Sequence, residues 1–156
     1  MTDALKIGDK APLFKLPRDG GAEASLADFA GRSLVLYFYP KDDTSGCTAE
    51  AIDFNRLAAD FAKAGAAIVG VSPDPVKKHD KFRDKYELGF PLVSDEAKTM
   101  LEAYGVWVEK SMYGRKYMGV ERSTFLIDGK GKIARIWRKV KVTGHADEVL
   151  AAVRAL

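Results

Sequence analysis

Two short apolar runs, residues 34–39 and 67–71, flank a segment whose apolar side chains recur at helical spacing. Short apolar runs bounded by polar or turn residues are typical of buried strands. Between them, residues 48–64 place apolar side chains three or four positions apart, which predicts a helix with one inward face. A strand, a helix and a strand at this separation predict a βαβ unit with parallel strands. This unit restricts the chain to α/β architectures.

A hairpin and a helix are predicted in the last third of the chain. The strand-like runs 123–128 and 132–137 flank a Gly-Lys-Gly turn at 129–131. The segment that follows His145 is apolar at helical spacing and predicts a closing helix. A βαβ unit, a hairpin and a helix, in this order, place helices on both faces of a mixed central sheet. We therefore predict one α/β domain over 1–156 with the thioredoxin-like arrangement.

The segments around this framework have weaker patterns. Residues 1–33 predict a loop with short strands and, at 25–29, one capped helical turn. Residues 76–87 and 96–104 predict helices, with a short extended piece at 90–93 between them.

Residues 106–121 interleave aromatic and basic side chains and fit no single period. Two interpretations stay open. The segment is either a surface loop that packs its aromatic side chains on the core, or a flap over a site.

The composition excludes several classes of protein. With 47% apolar and 30% charged residues, the 156-residue chain is ordinary for a globular protein. No apolar run is long enough to predict a membrane span, and the first residues show no signal-peptide core. A net charge of +3 is too small to indicate nucleic-acid binding. The single cysteine excludes an internal disulfide and suits a reducing compartment, so we expect a cytoplasmic protein.

The only cysteine, Cys47, stands where the first apolar run has ended and the predicted helix begins. A cysteine is most often an inert, small apolar residue of a core. A helix N-terminus, however, stabilises a thiolate through its free N–H groups and its dipole. Gly46, immediately before it, permits a close backbone approach. Position therefore favours a reactive thiol.

Ionisation alone cannot make this thiol a fast nucleophile. A thiol of pKa about 8.5 is already a few per cent ionised at pH 7. Full ionisation gains roughly 30-fold at most, and the lower basicity removes part of that gain. A larger rate needs hydrogen-bond donors aimed at the charge of the transition state. The candidates are the Thr44 hydroxyl, the N–H groups of Gly46 and Cys47, and the guanidinium of Arg122, which immediately precedes the predicted strand 123–128.

Other kinds of thiol site lack the residues that they need. A metal centre needs clustered cysteines and histidines, so we expect no metal, and no cofactor-binding motif is present. A dithiol oxidoreductase needs Cys-x-x-Cys, which the chain lacks. A Cys–His hydrolase needs a positioned imidazole. His79 lies in a highly charged segment and His145 begins another helix, so we expect both on the surface.

The spacing Pro-x-x-x-Thr-x-x-Cys at Pro40, Thr44 and Cys47, with a distant arginine, resembles the peroxiredoxins. The runs at 37–54 and 104–128 resemble the bacterioferritin comigratory protein, or Q-type, branch, and the resemblance covers nearly the whole chain. It implies the peroxiredoxin variant of the thioredoxin-like fold. It also implies a thiol-dependent peroxidase that reduces hydrogen peroxide and organic hydroperoxides in antioxidant defence.

The resemblance implies a role for each site residue. Cys47 would attack the peroxide and become a sulfenic acid. Thr44 would hydrogen-bond the thiolate and the peroxide, Arg122 would hold the thiolate and stabilise the separating oxygens, and Pro40 would form a wall of the pocket. Glu50 would orient Arg122 or neighbouring backbone. The alternative for Glu50 is a favourable charge in the first helical turn.

Two positions depart from the pattern of the branch. Ser45 replaces the proline that usually precedes Gly-Cys, and Ile52 occupies a position where many members carry a resolving cysteine. Residues 76–87 contain no second thiol either. The resemblance therefore implies a one-cysteine enzyme reset by an external thiol, which is a thioredoxin, a glutaredoxin or a low-molecular-weight thiol. We expect a monomer or weak dimer that binds peroxide and reductant, but neither nucleic acid nor membrane.

Two alternatives to an enzyme stay open. The chain could be a redox sensor or binding module that signals through Cys47 oxidation without turnover. It could also be a structural thioredoxin-like interaction domain. Turnover separates the enzyme from the sensor, and a thiol pKa of about 8.5 would indicate the structural domain.

Overall fold

A computed structural model of the chain describes residues 4–156. The strands are β1 (Lys15–Pro17), β2 (Glu23–Ser25), β3 (Ser33–Phe38), β4 (Ala66–Ser72), β5 (Leu92–Ser94), β6 (Trp107–Met112), β7 (Arg115–Val120), β8 (Ser123–Ile127) and β9 (Ile133–Trp137). The α-helices are α1 (Ser45–Arg56), α2 (Ala58–Lys63), α3 (Val76–Tyr86), α4 (Thr99–Ala103) and α5 (His145–Arg154). Short 3-10 helices span Asp19–Gly21 and Leu26–Phe29. Over the described range, no helix has the length and apolar character to cross a membrane.

The central sheet has five strands in the order β5-β4-β3-β8-β9. β3 and β4 pair in parallel, from Ser33 opposite Ala66 to Phe38 opposite Val71. β3 pairs antiparallel with β8, and β8 antiparallel with β9. The predicted βαβ unit, the hairpin and the mixed sheet are confirmed.

The side chains of β3 alternate between two apolar clusters, as the pleat of a strand requires. Val35 and Tyr37 belong to the cluster that includes residues of α1, α2, α3 and α5. Leu34, Leu36 and Phe38 belong to the cluster that includes α4 and the N-terminal segment. Helices therefore lie on both faces of the sheet, as predicted.

The segment expected as one helix over 48–64 differs from the prediction at both its start and its middle. It begins earlier, at Ser45, and is divided at Leu57 into α1 and α2. At Leu57, φ is −98° and ψ is 4°, and the N–H is shared between two carbonyls of the preceding turn at 3.2 and 3.3 Å. Such sharing marks a tightened, 3-10-like final turn. Leu57 and Phe61 stay buried on the inward face, so the apolar pattern survives the break.

The helix expected over 96–104 is shorter in the structure. Lys98 adopts a left-handed conformation with φ of 63°, so α4 begins only at Thr99. The carboxylate of Asp95 accepts a hydrogen bond from the N–H of Leu101 at 2.8 Å. This carboxylate satisfies one of the free donors at the start of α4 and so helps to fix where the helix begins.

The other peripheral elements follow the prediction more closely. β1 and β2 form the expected short strands near the N-terminus. The capped turn expected at 25–29 is confirmed, because the N–H of Ser25 donates to the carboxylate of Asp28 at 2.9 Å.

Residues 106–121 form a two-stranded antiparallel hairpin of β6 and β7, separate from the central sheet. Trp107, at its base, packs against the core. Tyr113, at the turn, is 99% exposed, and Tyr117 and Met118 are exposed as well. The interpretation as a loop that packs its aromatic side chains on the core is therefore wrong for these residues, and the flap interpretation stays a prediction.

Candidate active site

The sheet register brings two distant parts of the sequence to one place. β3 ends at Phe38, a six-residue turn follows, and α1 carries Cys47 as its third residue. β8 runs antiparallel to β3, with Ser123 opposite Phe38. Because Arg122 immediately precedes Ser123, it enters the sheet at the edge where the turn begins.

Arg122 contacts two side chains of α1 at once. Its Nη2 donates to the Sγ of Cys47 at 3.2 Å, and its Nη1 donates to Oε1 of Glu50 at 2.6 Å. Cys47 is only 1% exposed, so little solvent screens the first contact. Nη2 therefore places a charged hydrogen-bond donor against a buried sulfur.

Glu50 lies one helical turn beyond Cys47 and is buried. Burial raises the pKa of Glu50 to about 7, although Arg122 acts in the opposite direction. Burial by itself would lower the pKa of Arg122, but Glu50 and Cys47 raise it above its ordinary value. The guanidinium therefore stays charged at any physiological pH. The contact places Glu50 against Arg122, and its role in orienting Arg122 stays a prediction.

Gly46 leaves room for the guanidinium. A Cβ at this position would lie 3.3 Å from Nη2 of Arg122, closer than an ordinary van der Waals contact. The N–H of Thr48 is an early donor of the helical ladder, bonding to the carbonyl of Thr44 at 2.8 Å. The N–H groups of Gly46 and Cys47 precede it and contribute the partial positive charge of a helix N-terminus.

Thr44 and Pro40 lie in the turn, but the structure does not show their expected roles. The Thr44 side chain is exposed, and its hydroxyl donates to the carbonyl of Lys41 at 2.8 Å. To donate to a thiolate or a peroxide, the hydroxyl must leave this acceptor. Pro40 is half-buried beside it. The donor role of Thr44 and the wall role of Pro40 stay predictions.

The expectation that both histidines lie on the surface is wrong. His79 is 0% and His145 is 4% exposed. His145 shares a hydrogen bond with the Thr124 hydroxyl through Nε2 at 2.8 Å, and burial lowers its pKa to about 4. Within residues 4–156, neither ring hydrogen-bonds Cys47. A Cys–His pair is therefore absent from the described part of the chain.

His79 belongs to a buried polar cluster that the sequence pattern does not reveal. Its Nδ1 lies 2.6 Å from Oδ2 of Asp42, and its Nε2 lies 2.9 Å from the carbonyl of Val93. One signal was available, because His79 stands three residues before the buried Phe82 on the same helix. That spacing places the ring on the apolar stripe of α3, but the charged neighbours suggested a surface position.

Asp42, Asp74 and His79 bring possible metal-ligating atoms within 4.8 Å of one another. These atoms already form hydrogen bonds with the protein. The hydroxyl of Ser72 donates to Oδ2 of Asp74 at 2.7 Å, and that oxygen also accepts from the N–H of Asp42 at 2.8 Å. The cluster is accounted for as a hydrogen-bonded network, and we assign no ion to it.

Comparison with known proteins identifies the family. The AhpC/TSA family matches residues 7–136. The chain is 52% identical to peroxiredoxin Bcp of Xanthomonas campestris over 157 residues, covering 99% of this chain and 98% of that protein. It is 48% identical to peroxiredoxin Bcp of Bacillus subtilis over 150 residues, covering 96% of each.

Solved structures agree with this family and with the thioredoxin-like fold. The crystal structure of a cysteine-to-serine mutant of Xylella fastidiosa PrxQ is 42% identical and superposes with a TM-score of 0.93, covering 99% of this chain and 98% of that one. The Xanthomonas campestris bacterioferritin comigratory protein, studied for alkyl peroxide reduction, is 52% identical with a TM-score of 0.88 and coverage of 91% and 90%. The chain belongs to the AhpC/TSA family, as a one-cysteine peroxiredoxin of the bacterioferritin comigratory protein branch.

Proposed function

We propose that this peroxiredoxin reduces hydrogen peroxide and organic hydroperoxides through a sulfenic acid on Cys47. The observation that carries the proposal is the 3.2 Å contact between Nη2 of Arg122 and Sγ of Cys47 at the start of α1. This contact holds the permanently charged guanidinium of Arg122 against the only thiol of the chain. The Xanthomonas campestris relative, described for alkyl peroxide reduction, supports the reaction class.

In the first step, the Cys47 thiolate attacks one oxygen of the peroxide. The sulfur supplies an electron pair, an S–O bond forms, and the O–O bond breaks. The sulfur is oxidised to a sulfenic acid, and the other oxygen leaves with the bonding electrons. That oxygen takes up a proton and departs as water from hydrogen peroxide, or as an alcohol from an organic hydroperoxide.

Negative charge therefore moves from sulfur to the leaving oxygen during this step. The guanidinium of Arg122 already lies against the sulfur and stabilises the charge as it spreads along the S–O–O axis. Glu50 holds Nη1 through its 2.6 Å hydrogen bond, which fixes the plane of the guanidinium. Such a donor is worth about 10²- to 10³-fold in rate in other enzymes.

The second step needs a thiol from another molecule, because the chain has one cysteine. An external thiol displaces water from the sulfenic acid and forms a mixed disulfide with Cys47. A second thiol then exchanges with that disulfide and restores the thiolate. Ile52, 45% exposed five residues beyond Cys47, offers no internal substitute. Cys47 must become more accessible than its 1% exposure for this exchange.

The reductant that we propose is a thioredoxin, a glutaredoxin or a low-molecular-weight thiol. A reducing cytoplasm keeps both the reductant and Cys47 in the thiol form, so we place the antioxidant reaction there. Cys47, Glu50 and Arg122 all come from one chain, so the first step is compatible with a monomer or a weak dimer.

The proposal is tested by the intact mass of the protein after one equivalent of peroxide. We expect a gain of one oxygen, its replacement by one added low-molecular-weight thiol, and a return to the starting mass with excess thiol. A sample alkylated at Cys47 beforehand is the matched control, since oxidation of methionine would appear in it too. An oxidised form that no thiol returns to the starting mass would contradict turnover and favour the redox sensor.

A further inference from the structure

The turn that leads into α1, residues 39–44, lies beside α3. A cavity of about 390 Å³ is lined by residues of both, among them Asp42, Asp43 and Phe82. Tyr39, at the start of the turn, packs in the same apolar cluster as Phe82, but the cavity leaves the turn incompletely packed at Asp42 and Asp43. Asp43 also has φ of 60°, a left-handed conformation that a non-glycine residue adopts at a cost. Specific contacts must hold this turn in place.

Asp42 supplies those contacts from inside the protein. It is buried, and its Oδ1 accepts a hydrogen bond from the Tyr39 hydroxyl at 2.5 Å. Its Oδ2 lies 2.6 Å from Nδ1 of His79, and its N–H donates to Asp74 at 2.8 Å. These bonds join one residue of the turn to α3 and to the segment between β4 and α3.

Asp43 adds two contacts at the surface. Its carboxylate accepts from Nζ of Lys85 and from the hydroxyl of Tyr86, both at 2.8 Å. Exposed contacts of this kind contribute little, because water and salt screen them. The buried bond between Asp42 and His79 is therefore the principal polar link between the turn and α3.

The hydrogen-bond partners of the two ring nitrogens indicate the protonation state of His79. The carbonyl of Val93 can only accept, so Nε2, at 2.9 Å, carries a proton. Nδ1 faces the carboxylate of Asp42, which already accepts from Tyr39. An imidazolium and a carboxylate satisfy every one of these contacts. The titratable groups around the ring are Asp42 from the turn, Asp74 from the segment before α3, and Tyr39, with ring centroids 6.4 Å apart.

We propose that His79 is a positioning residue for the peroxide reaction and holds the 39–44 turn through Asp42. The inference rests on the peroxidase function proposed above. Thr44, two residues beyond Asp42, is the N-cap of α1, and Cys47 lies in the first turn of that helix. A displacement at Asp42 is thus passed along three peptide bonds to the helix start. Misplacement of a reacting group by about 1 Å can cost about 10²-fold in rate.

The ion pair between His79 and Asp42 depends on pH, whereas purely apolar packing would not. Burial alone would lower the pKa of His79, but Asp42, Val93 and Asp74 raise it above its ordinary value of 6.5. The stability that the ion pair contributes is therefore complete below pH 6.5 and is lost as pH rises through the raised pKa. We expect the rate of the wild-type reaction with peroxide to fall over the same range of pH.

The test compares His79→Gln with the wild type in the second-order rate of the reaction between Cys47 and hydrogen peroxide. Glutamine donates to only one of the two acceptors and does not titrate. We expect this rate to be lower by about tenfold or more at pH 7. We also expect that it does not fall further at high pH. If that variant does not fold, Tyr39→Phe removes the hydroxyl that bonds Oδ1 of Asp42 and should still slow the reaction several-fold.

Asp19→Asn is the matched control. Asp19 is a buried carboxylate that bonds Arg83 of α3 and the N–H of Leu92, but it does not contact the turn. We expect it to lower the free energy of unfolding while leaving the peroxide rate and its pH profile unchanged. Lower stability of His79→Gln with an unchanged rate and profile would overturn the inference and leave the peroxidase function intact. A wild type that does not react with peroxide would instead overturn the proposed function, and the inference with it.

Discussion

Cys47→Ser is expected to abolish peroxide reduction while the protein stays folded. A serine hydroxyl is not ionised near neutral pH and cannot replace the thiolate as a nucleophile for peroxide oxygen. It is nearly the same size as the thiol, so the buried site at the start of α1 stays filled. The expected rate is that of the uncatalysed reaction between reductant and peroxide. Peroxide consumption in the presence of a thiol reductant measures it, together with urea unfolding to establish the fold.

Ile52→Ser is the control for this substitution. It introduces the same side chain into the same helix, at a position that is 45% exposed, whereas Cys47 is buried. We expect its rate to stay within a few-fold of the wild type. Peroxide consumption by Cys47→Ser at the wild-type rate would exclude Cys47 as the nucleophile.

Arg122→Lys is expected to cost about 10²- to 10³-fold in the second-order rate with peroxide. The guanidinium bonds Cys47 with one nitrogen and Glu50 with another, and a single ammonium lacks this fork geometry. The fold should survive, because positive charge remains beside Glu50. If the shorter ammonium does not reach Glu50, that carboxylate can take up a proton, because its pKa is already about 7. Stopped-flow oxidation of Cys47 measures the rate.

Arg83→Lys separates the effect at the site from the general effect of the replacement. Arg83 also donates to a buried carboxylate, Asp19, at 2.9 Å, and Asp19 bonds the N–H of Leu92 rather than a residue of the site. We expect a small loss of stability and an unchanged peroxide rate. If Arg122→Lys reacted within a few-fold of the wild type, Arg122 would have no part in the transition state.

The sequence predicted the framework because that framework depends on local period and strand order. Residues 34–39 and 67–71 were placed within one residue of β3 and β4, and the hairpin was placed where β8 and β9 lie. Arg122 is a candidate because it precedes a strand, and the register of Ser123 opposite Phe38 explains how its guanidinium reaches the sulfur of Cys47. The apolar periodicity thus places Cys47 at a helix start and Arg122 at a strand start, and the two residues are in contact.

Features that depend on tertiary contacts were not accessible in the same way. The break at Leu57 changes the helix without changing its apolar face, so the spacing gives no sign of it. The partners of His79 come from the turn before α1 and from β5, at residues 42 and 93, and no local pattern joins these positions. The hydroxyl of Thr44 bonds Lys41 rather than the sulfur, which only the conformation of the turn decides.

The central claim is that Arg122 and the start of α1 accelerate the reaction of Cys47 beyond what ionisation alone provides. The most direct test is the second-order rate constant of wild-type Cys47 with hydrogen peroxide, divided by that of a free thiol of pKa about 8.5 at pH 7. Complete ionisation accounts for roughly 30-fold at most. We predict a ratio of about 10³ or more, because donors aimed at the separating oxygens act in addition to ionisation. A ratio of about 30 or less would contradict the claim, since a lowered thiol pKa would then explain the whole effect.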